Sequence, residues 1–189
     1  MKTVYIIHGW SGSPNEKIHI WLKSQLEEKG FEVVVPEMPY PDKPAIEGWV
    51  NKLKEVIEYP NENTILVGHS IGCQTILRYL EQLHPAVRLG KVILLAPWFT
   101  LSDLETEEEK VIAKPWIETQ IRETDVIKHT PKITAIFSDN DPVVPMEENR
   151  RIFEERFNAE IIIESGKGHF TEEDGVTEVP PVLNSILNQ

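Results

Sequence analysis

Six short apolar runs, dense in β-branched residues and separated by longer segments of helical period, constrain this chain more than any other feature. They lie at 4–7, 33–35, 65–67, 92–95, 133–137 and 161–163. None alternates apolar with polar, as a half-solvated antiparallel strand would, so each reads as a strand covered on both faces. The segments between them carry helix signals. Ser13-Pro14-Asn15-Glu16 has the form of a capping box, with Ser13 as N-cap, and predicts a helix running to about Lys29, with Gly30 in the left-handed C-terminal conformation. After Pro44, residues Ile46, Trp49, Val50, Leu53, Val56 and Ile57 form one apolar stripe. A third helix opens just after Ser70 and presents Ile76, Leu77, Leu80 and Leu83. Further helices are expected near 147–156 and from 181 onward.

Strand and helix in strict alternation imply the α/β class, with one mainly parallel sheet of about six strands and helices on both faces. A length of 189 residues, 40% of them hydrophobic, suits a single domain over 1–189. The rhythm breaks once, at the 97–131 connection, which is rich in Trp, Phe and Glu. A connection of that length is functional or carries helices of its own.

Charge and cysteine content narrow the function classes. A net charge of −12 opposes binding to nucleic acid or to an anionic membrane, since both are polyanions. No stretch reaches the ~20 apolar residues of a membrane span. The N-terminal run is too short for a secretory signal, and no small-residue cleavage site follows it. The single cysteine, Cys73, forms no internal disulfide, and zinc would need several other ligands beside it. A cytoplasmic protein is expected.

In an open parallel sheet, ligands bind beyond the carboxyl ends of the strands. His8-Gly9-Trp10 follows the first run and Gly68-His69-Ser70-Ile71-Gly72 the third. Pro97-Trp98-Phe99 follows the fourth, Ser138-Asp139-Asn140-Asp141 the fifth and Gly166-Lys167-Gly168-His169-Phe170 the sixth. The Gly-x-Ser-x-Gly pattern, set between a buried strand and a helix, is the context in which a nucleophilic serine projects from a strained turn. Ser70 is therefore the expected nucleophile. His169, in a Gly-rich turn on a rigid sheet, is the expected base. For the orienting acid, Asp141 is preferred because Pro142 and Pro145 stiffen its loop. Asp139 ranks second and Asp103 third. Two backbone amides should face the developing oxyanion, that of Ile71 at a helix N-terminus and that of Trp10 after the first strand.

The set His8-Gly9-Trp10, Gly68-His69-Ser70-Ile71-Gly72, Asp141-Pro142-Val143-Val144-Pro145 and Gly168-His169-Phe170 resembles the α/β-hydrolase superfamily. At this chain length it is similar to the small YdeN-type serine hydrolases, relatives of the retinoblastoma-binding serine hydrolase. The resemblance covers essentially the whole chain and includes the Cys73 that follows the serine turn. It implies an α/β-hydrolase fold with a minimal lid, and a nucleophile, acid and base at Ser70, Asp141 and His169. A Leu-x-Cys-x-Glu contact is absent, because Ile71 and Thr75 stand at the matching positions around Cys73.

These residues suit hydrolysis of a small carboxylic ester or thioester through an acyl-enzyme, with no cofactor or metal required. His8, His69 and His169 carry no metal-ligand motif. Trp98, Phe99, Trp116 and Phe170, with Trp10, either line an apolar acyl pocket or pack the long connection against the sheet. Glu172, Glu173 and Asp174 follow the base and should disfavour anionic substrates. The charged stretch 104–110 reads as a solvated helix face. The alternative function is a catalytically weak member of the fold that acts as a protein-binding module for a partner not yet known.

Overall fold

All six apolar runs are strands in the computed structural model, which describes every residue except Asp103, Glu105, Pro131 and Gln189. Asp103, the third-ranked acid, and Glu105 of the charged stretch thus lie outside the described residues. The strands are β1 (Thr3–Ile7), β2 (Glu32–Val34), β3 (Thr64–His69), β4 (Lys91–Leu95), β5 (Ile133–Ser138) and β6 (Glu160–Glu164). They form one sheet in the order β2-β1-β3-β4-β5-β6, and every pairing is parallel. The helices are α1 (Lys17–Glu27), α2 (Ile46–Val56), α3 (Ile71–Leu80), α4 (Glu107–Glu118), α5 (Glu123–Ile127), α6 (Met146–Phe157) and α7 (Pro180–Leu187). Among the described residues, no helix is long and apolar enough to cross a membrane.

Strand residues divide between two cores by the period of two. Val4, Ile6, Ile65, Val67, Ile93 and Leu95 pack with Ile18, Leu22 and Leu26 of α1 and with Val182, Leu183 and Ile186 of α7. Ile7, Leu66, Val92 and Leu94 face the other way, onto Trp49 and Leu53 of α2, Ile76 and Leu77 of α3, and Phe153 and Phe157 of α6. Strands β3 and β5 are buried along their whole length. The sixth run departs from its expected burial. Among the described residues β6 pairs only with β5, at the edge of the sheet, and Ile163 is left 48% exposed.

Helix boundaries follow the local chemistry, with one correction. α1 begins at Lys17 rather than beside Ser13, and its N-cap Glu16 makes no side-chain capping bond. The Glu16 carboxylate does reach back to Ser13 N (2.8 Å), but it closes a turn that precedes the helix. At the other end, Phe31 N bonds Leu26 O and Gly30 N bonds Glu27 O, with Gly30 at φ +83°, which is a Schellman ending. The long connection carries α4 and α5, and α4 starts on a complete capping box between Thr106 and Glu109. The glutamates Glu107, Glu108 and Glu109 occupy its first turn, where the helix dipole favours them.

The start of that connection is pinned by Asn149 of α6, which is fully buried. Its Oδ1 accepts from Phe99 N (2.7 Å) and Thr100 N (3.1 Å), and its Nδ2 donates to Thr100 O (3.0 Å) and Pro145 O (2.9 Å). Asn149→Ala strands several of these backbone groups without partners, and is expected to cost about 2–4 kcal/mol. A urea midpoint unchanged from wild type would contradict this.

Strand order reverses at β1, whose neighbours β2 and β3 are reached by connections on opposite faces. The crevice at such a switch point lies between the carboxyl ends of the two central strands. Here those are the ends of β1 and β3, where His8-Gly9-Trp10 and Ser70 stand.

Candidate active site

Ser70 joins β3 to α3 in a conformation that L-residues rarely adopt, φ 52° and ψ −119°. Its amide donates to Leu95 O (2.9 Å) and its carbonyl accepts from Cys73 N (2.9 Å), so the strained turn is held from both sides. The glycines of the motif are required by close approach. A Cβ on Gly68 would stand 2.7 Å from Cys73 N, and one on Gly72 would stand 2.4 Å from Ile7 O. β1 and α3 thus meet backbone to backbone directly beneath the serine.

The loops after β5 and β6 bring an acid and a histidine to this turn. His169 Nε2 lies 2.9 Å from Ser70 Oγ, and His169 Nδ1 lies 2.8 Å from Asp141 Oδ2. An ionised carboxylate only accepts, so the ring proton belongs on Nδ1, and Nε2 is left to accept from the serine hydroxyl. Asp141 is fixed in turn. Its Oδ1 accepts from Val143 N and Val144 N, both at 2.9 Å, and its side chain is 2% exposed.

Asp139 has a different task. It accepts from Ser165 Oγ (2.7 Å) and Gly166 N (2.8 Å), which tie the β6 loop to the β5 loop and hold its carboxyl below the usual range. Asn140 adds a bond from Gly168 N at 2.8 Å. Asp174 closes the far side of the histidine turn, accepting from His169 N (2.8 Å), Thr171 N (3.1 Å) and Thr171 Oγ1 (2.7 Å). Burial pushes its carboxyl up, but these bonds outweigh it and leave the pKa lowered. Asp174, five residues after the histidine, is therefore a loop brace.

Ile71 is the first residue of α3, so its N–H has no acceptor within the helix. The turn after β1 closes through other amides, Ser11 N to Pro41 O (2.9 Å) and Gly12 N to Gly9 O (3.1 Å). His8 anchors that turn. Its Nδ1 donates to Gly9 O (2.8 Å), its Nε2 accepts from Met38 N (3.1 Å), and burial pushes its pKa down. His8 has thus spent both nitrogens and does not converge with His69 and His169 as a ligand.

Ser70 opens into a cavity of about 460 Å³. Trp10, Trp98 and Phe170 line it, together with Ile18, Leu101 and Val143, and with Leu104, which precedes the helix and faces the cavity rather than belonging to a solvated helix face. Phe99 and Trp116 do not line it. Phe99 stacks on Phe157 (5.5 Å) and packs against Phe153 (5.3 Å). Trp116 is buried against Trp49 and sends its Nε1–H to Pro44 O (3.0 Å). Both serve the alternative role of packing the long connection. Glu16, Glu172 and Glu173 also line the cavity, and Glu172 pairs with Lys17 at 2.9 Å. Cys73 is fully buried in α3, its thiol donates to Gly68 O (3.2 Å) and Leu95 O (3.3 Å), and burial pushes its pKa well up.

Comparison with known proteins gives one consistent answer. The family model described as "Serine hydrolase" matches residues 4–188. YdeN of Bacillus subtilis (strain 168) is 32% identical over 188 residues, covering 99% of this chain and 95% of its own. Serine hydrolase RBBP9 of Rattus norvegicus is 28% identical over 184 residues, covering 95% of this chain and 87% of its own. The crystal structure of the ydeN gene product from B. subtilis matches at TM-score 0.90 and 30% identity, covering 98% of this chain and 97% of that one. Est1E from Butyrivibrio proteoclasticus, solved with ferulic acid bound, shares the fold at TM-score 0.77 and 17% identity, covering 100% of this chain and 89% of its own. The architecture is the α/β-hydrolase fold.

Proposed function

The chain belongs to the serine hydrolase family, and on that premise we propose that it cleaves a small carboxylic ester or thioester through an acyl-enzyme on Ser70. The observation that carries the reading is the continuous bond path from Ser70 Oγ through the His169 ring to Asp141, with steps of 2.9 and 2.8 Å. In the first half-reaction Ser70 Oγ attacks the acyl carbonyl while His169 Nε2 takes its proton. The amides of Ile71 and Trp10 face the tetrahedral oxyanion, each such donor contributing about 3 kcal/mol in the transition state. His169 then returns the proton to the departing alcohol or thiol, and later takes one from the water that releases the acid. Asp141 keeps the ring in the tautomer that can do this.

The cavity supports a neutral acyl group. Its walls include Ile18, Trp98, Leu101, Leu104, Val143 and Phe170, while Glu16, Glu172 and Glu173 oppose a carboxylate there. No cofactor enters the scheme. The free, buried thiol of Cys73 is in keeping with a reducing compartment such as the cytoplasm.

A fluorophosphonate probe followed by intact mass tests the reading. One adduct is expected on wild type and none on Ser70→Ala or His169→Ala. Folded wild type that takes no adduct would overturn the reading and favour a protein-binding module instead.

A further inference from the structure

We propose that Glu16, His19 and His69 form a binding site for a divalent transition-metal ion of the Zn²⁺ class, in the wall of the cavity beside Ser70. One donor atom from each of the three residues lies within 4.8 Å of the other two. Glu16 and His19 stand one helical turn apart at the start of α1, and His69 is the last residue of β3, so the site bridges two elements.

The two imidazoles are prepared as ligands. His19 Nδ1 donates to Ser13 O (3.1 Å) and His69 Nε2 donates to His169 O (2.9 Å). A backbone carbonyl on one ring nitrogen is the usual way a metal-binding histidine is held in orientation, with the lone pair on the other. Here the other nitrogens are His19 Nε2 and His69 Nδ1. Among the described residues neither finds a hydrogen-bond partner, and both are buried, in residues only 2% and 5% exposed. Orphaned polar atoms of this kind are rare in folded proteins and call for an occupant. Room exists at His69 Nδ1 because residue 9 is glycine, where a Cβ would stand 3.4 Å away.

Two imidazoles and one carboxylate form the donor set of a three-ligand zinc site that keeps a position for water, and two of the three residues, Glu16 and His69, line the cavity. Tetrahedral ligands at 2.0–2.1 Å from zinc stand about 3.4 Å apart, so binding draws this set inward by roughly an ångström. The rival occupant is a water molecule donating to both nitrogens.

The test is calorimetric titration of chelator-treated full-length chain with Zn²⁺, paired with the visible spectrum of the Co²⁺ form. We expect one ion per chain, intense tetrahedral Co²⁺ bands, and a higher melting temperature with Zn²⁺ by mass action. Glu16→Gln and His19→Ala should each weaken binding at least ~10-fold and flatten the Co²⁺ bands. Circular dichroism checks that each variant folds, and the partly exposed Glu16 provides the gentler substitution. Ser70→Ala should bind metal as wild type does, which separates this site from the hydrolytic reading. Absence of binding would assign the two nitrogens to water. Binding that survives both substitutions would place the ion elsewhere, and either result overturns the proposal.

Discussion

Replacing Asp141 with asparagine is expected to lower kcat by about four orders of magnitude while leaving the fold in place. The substituted side chain keeps one oxygen, which stays on Val143 N and Val144 N, where Asp141 Oδ1 now accepts two bonds. The new amide nitrogen then faces His169 Nδ1, where the carboxylate Oδ2 stood at 2.8 Å. An amide N–H donates, so Nδ1 must accept and the ring proton moves to Nε2. That nitrogen then has no lone pair for the proton of Ser70. Asp139→Asn is the matched control, because its carboxylate braces Ser165 and Gly166 and does not touch the histidine ring. It should lower kcat less than about tenfold. Both are read with a short chromogenic ester, and an Asp141→Asn enzyme within tenfold of wild type would remove Asp141 from its proposed role.

The largest effect on stability is expected at Gly72. A methyl group there stands 2.4 Å from Ile7 O and 2.8 Å from His8 O, and both obstacles are backbone. Neither can swing aside as a flexible side chain would. To make room, α3 would have to part from β1, against the ladder that joins β1 to β3 from Thr3 to Ile7. Gly72→Ala should therefore cost about 4 kcal/mol or more, or yield no soluble protein. Gly30→Ala gives the scale. At φ +83° with open space around it, Gly30 presents only the conformational penalty, about 1–2 kcal/mol. Comparable urea midpoints for the two variants would show that the β1–α3 contact yields.

The contrast between these glycines parallels what the sequence could and could not convey. Ser70, Asp141 and His169 were legible because each follows an apolar run, and the end of a strand fixes where its loop emerges. The direction of a side chain within such a loop is not encoded so locally. Phe99 comes four residues after β4, yet it turns onto Phe153 and Phe157, which are more than fifty residues away in sequence. Two Ser/Thr-x-x-Glu patterns look alike on paper. Thr106 and Glu109 cap a helix, whereas Ser13 and Glu16 close a turn, with Ser13 O engaged by His19. The pairing of His19 with His69 across fifty residues leaves no trace in spacing at all. Asn149 is equally silent, because its four partners depend on where α6 settles against the β4 loop. The exposure of β6 was hidden because an edge strand with one covered face can still carry an unbroken isoleucine run.

The His169 loop follows the last strand of the sheet, and under the proposed mechanism this order gives the enzyme a timetable during synthesis. Ser70 and His169 are 99 residues apart in the chain. At translation speeds of about 5–20 residues per second, the serine emerges roughly 5–20 seconds before its histidine. Through that interval, on the proposed mechanism, the nascent polypeptide carries a nucleophile that nothing activates. A product released early, or clipped between the two loops and separated, would keep the serine turn and remain inert toward acyl groups. Labelling by an acyl-directed probe would then count only polypeptides whose last strand has reached the sheet.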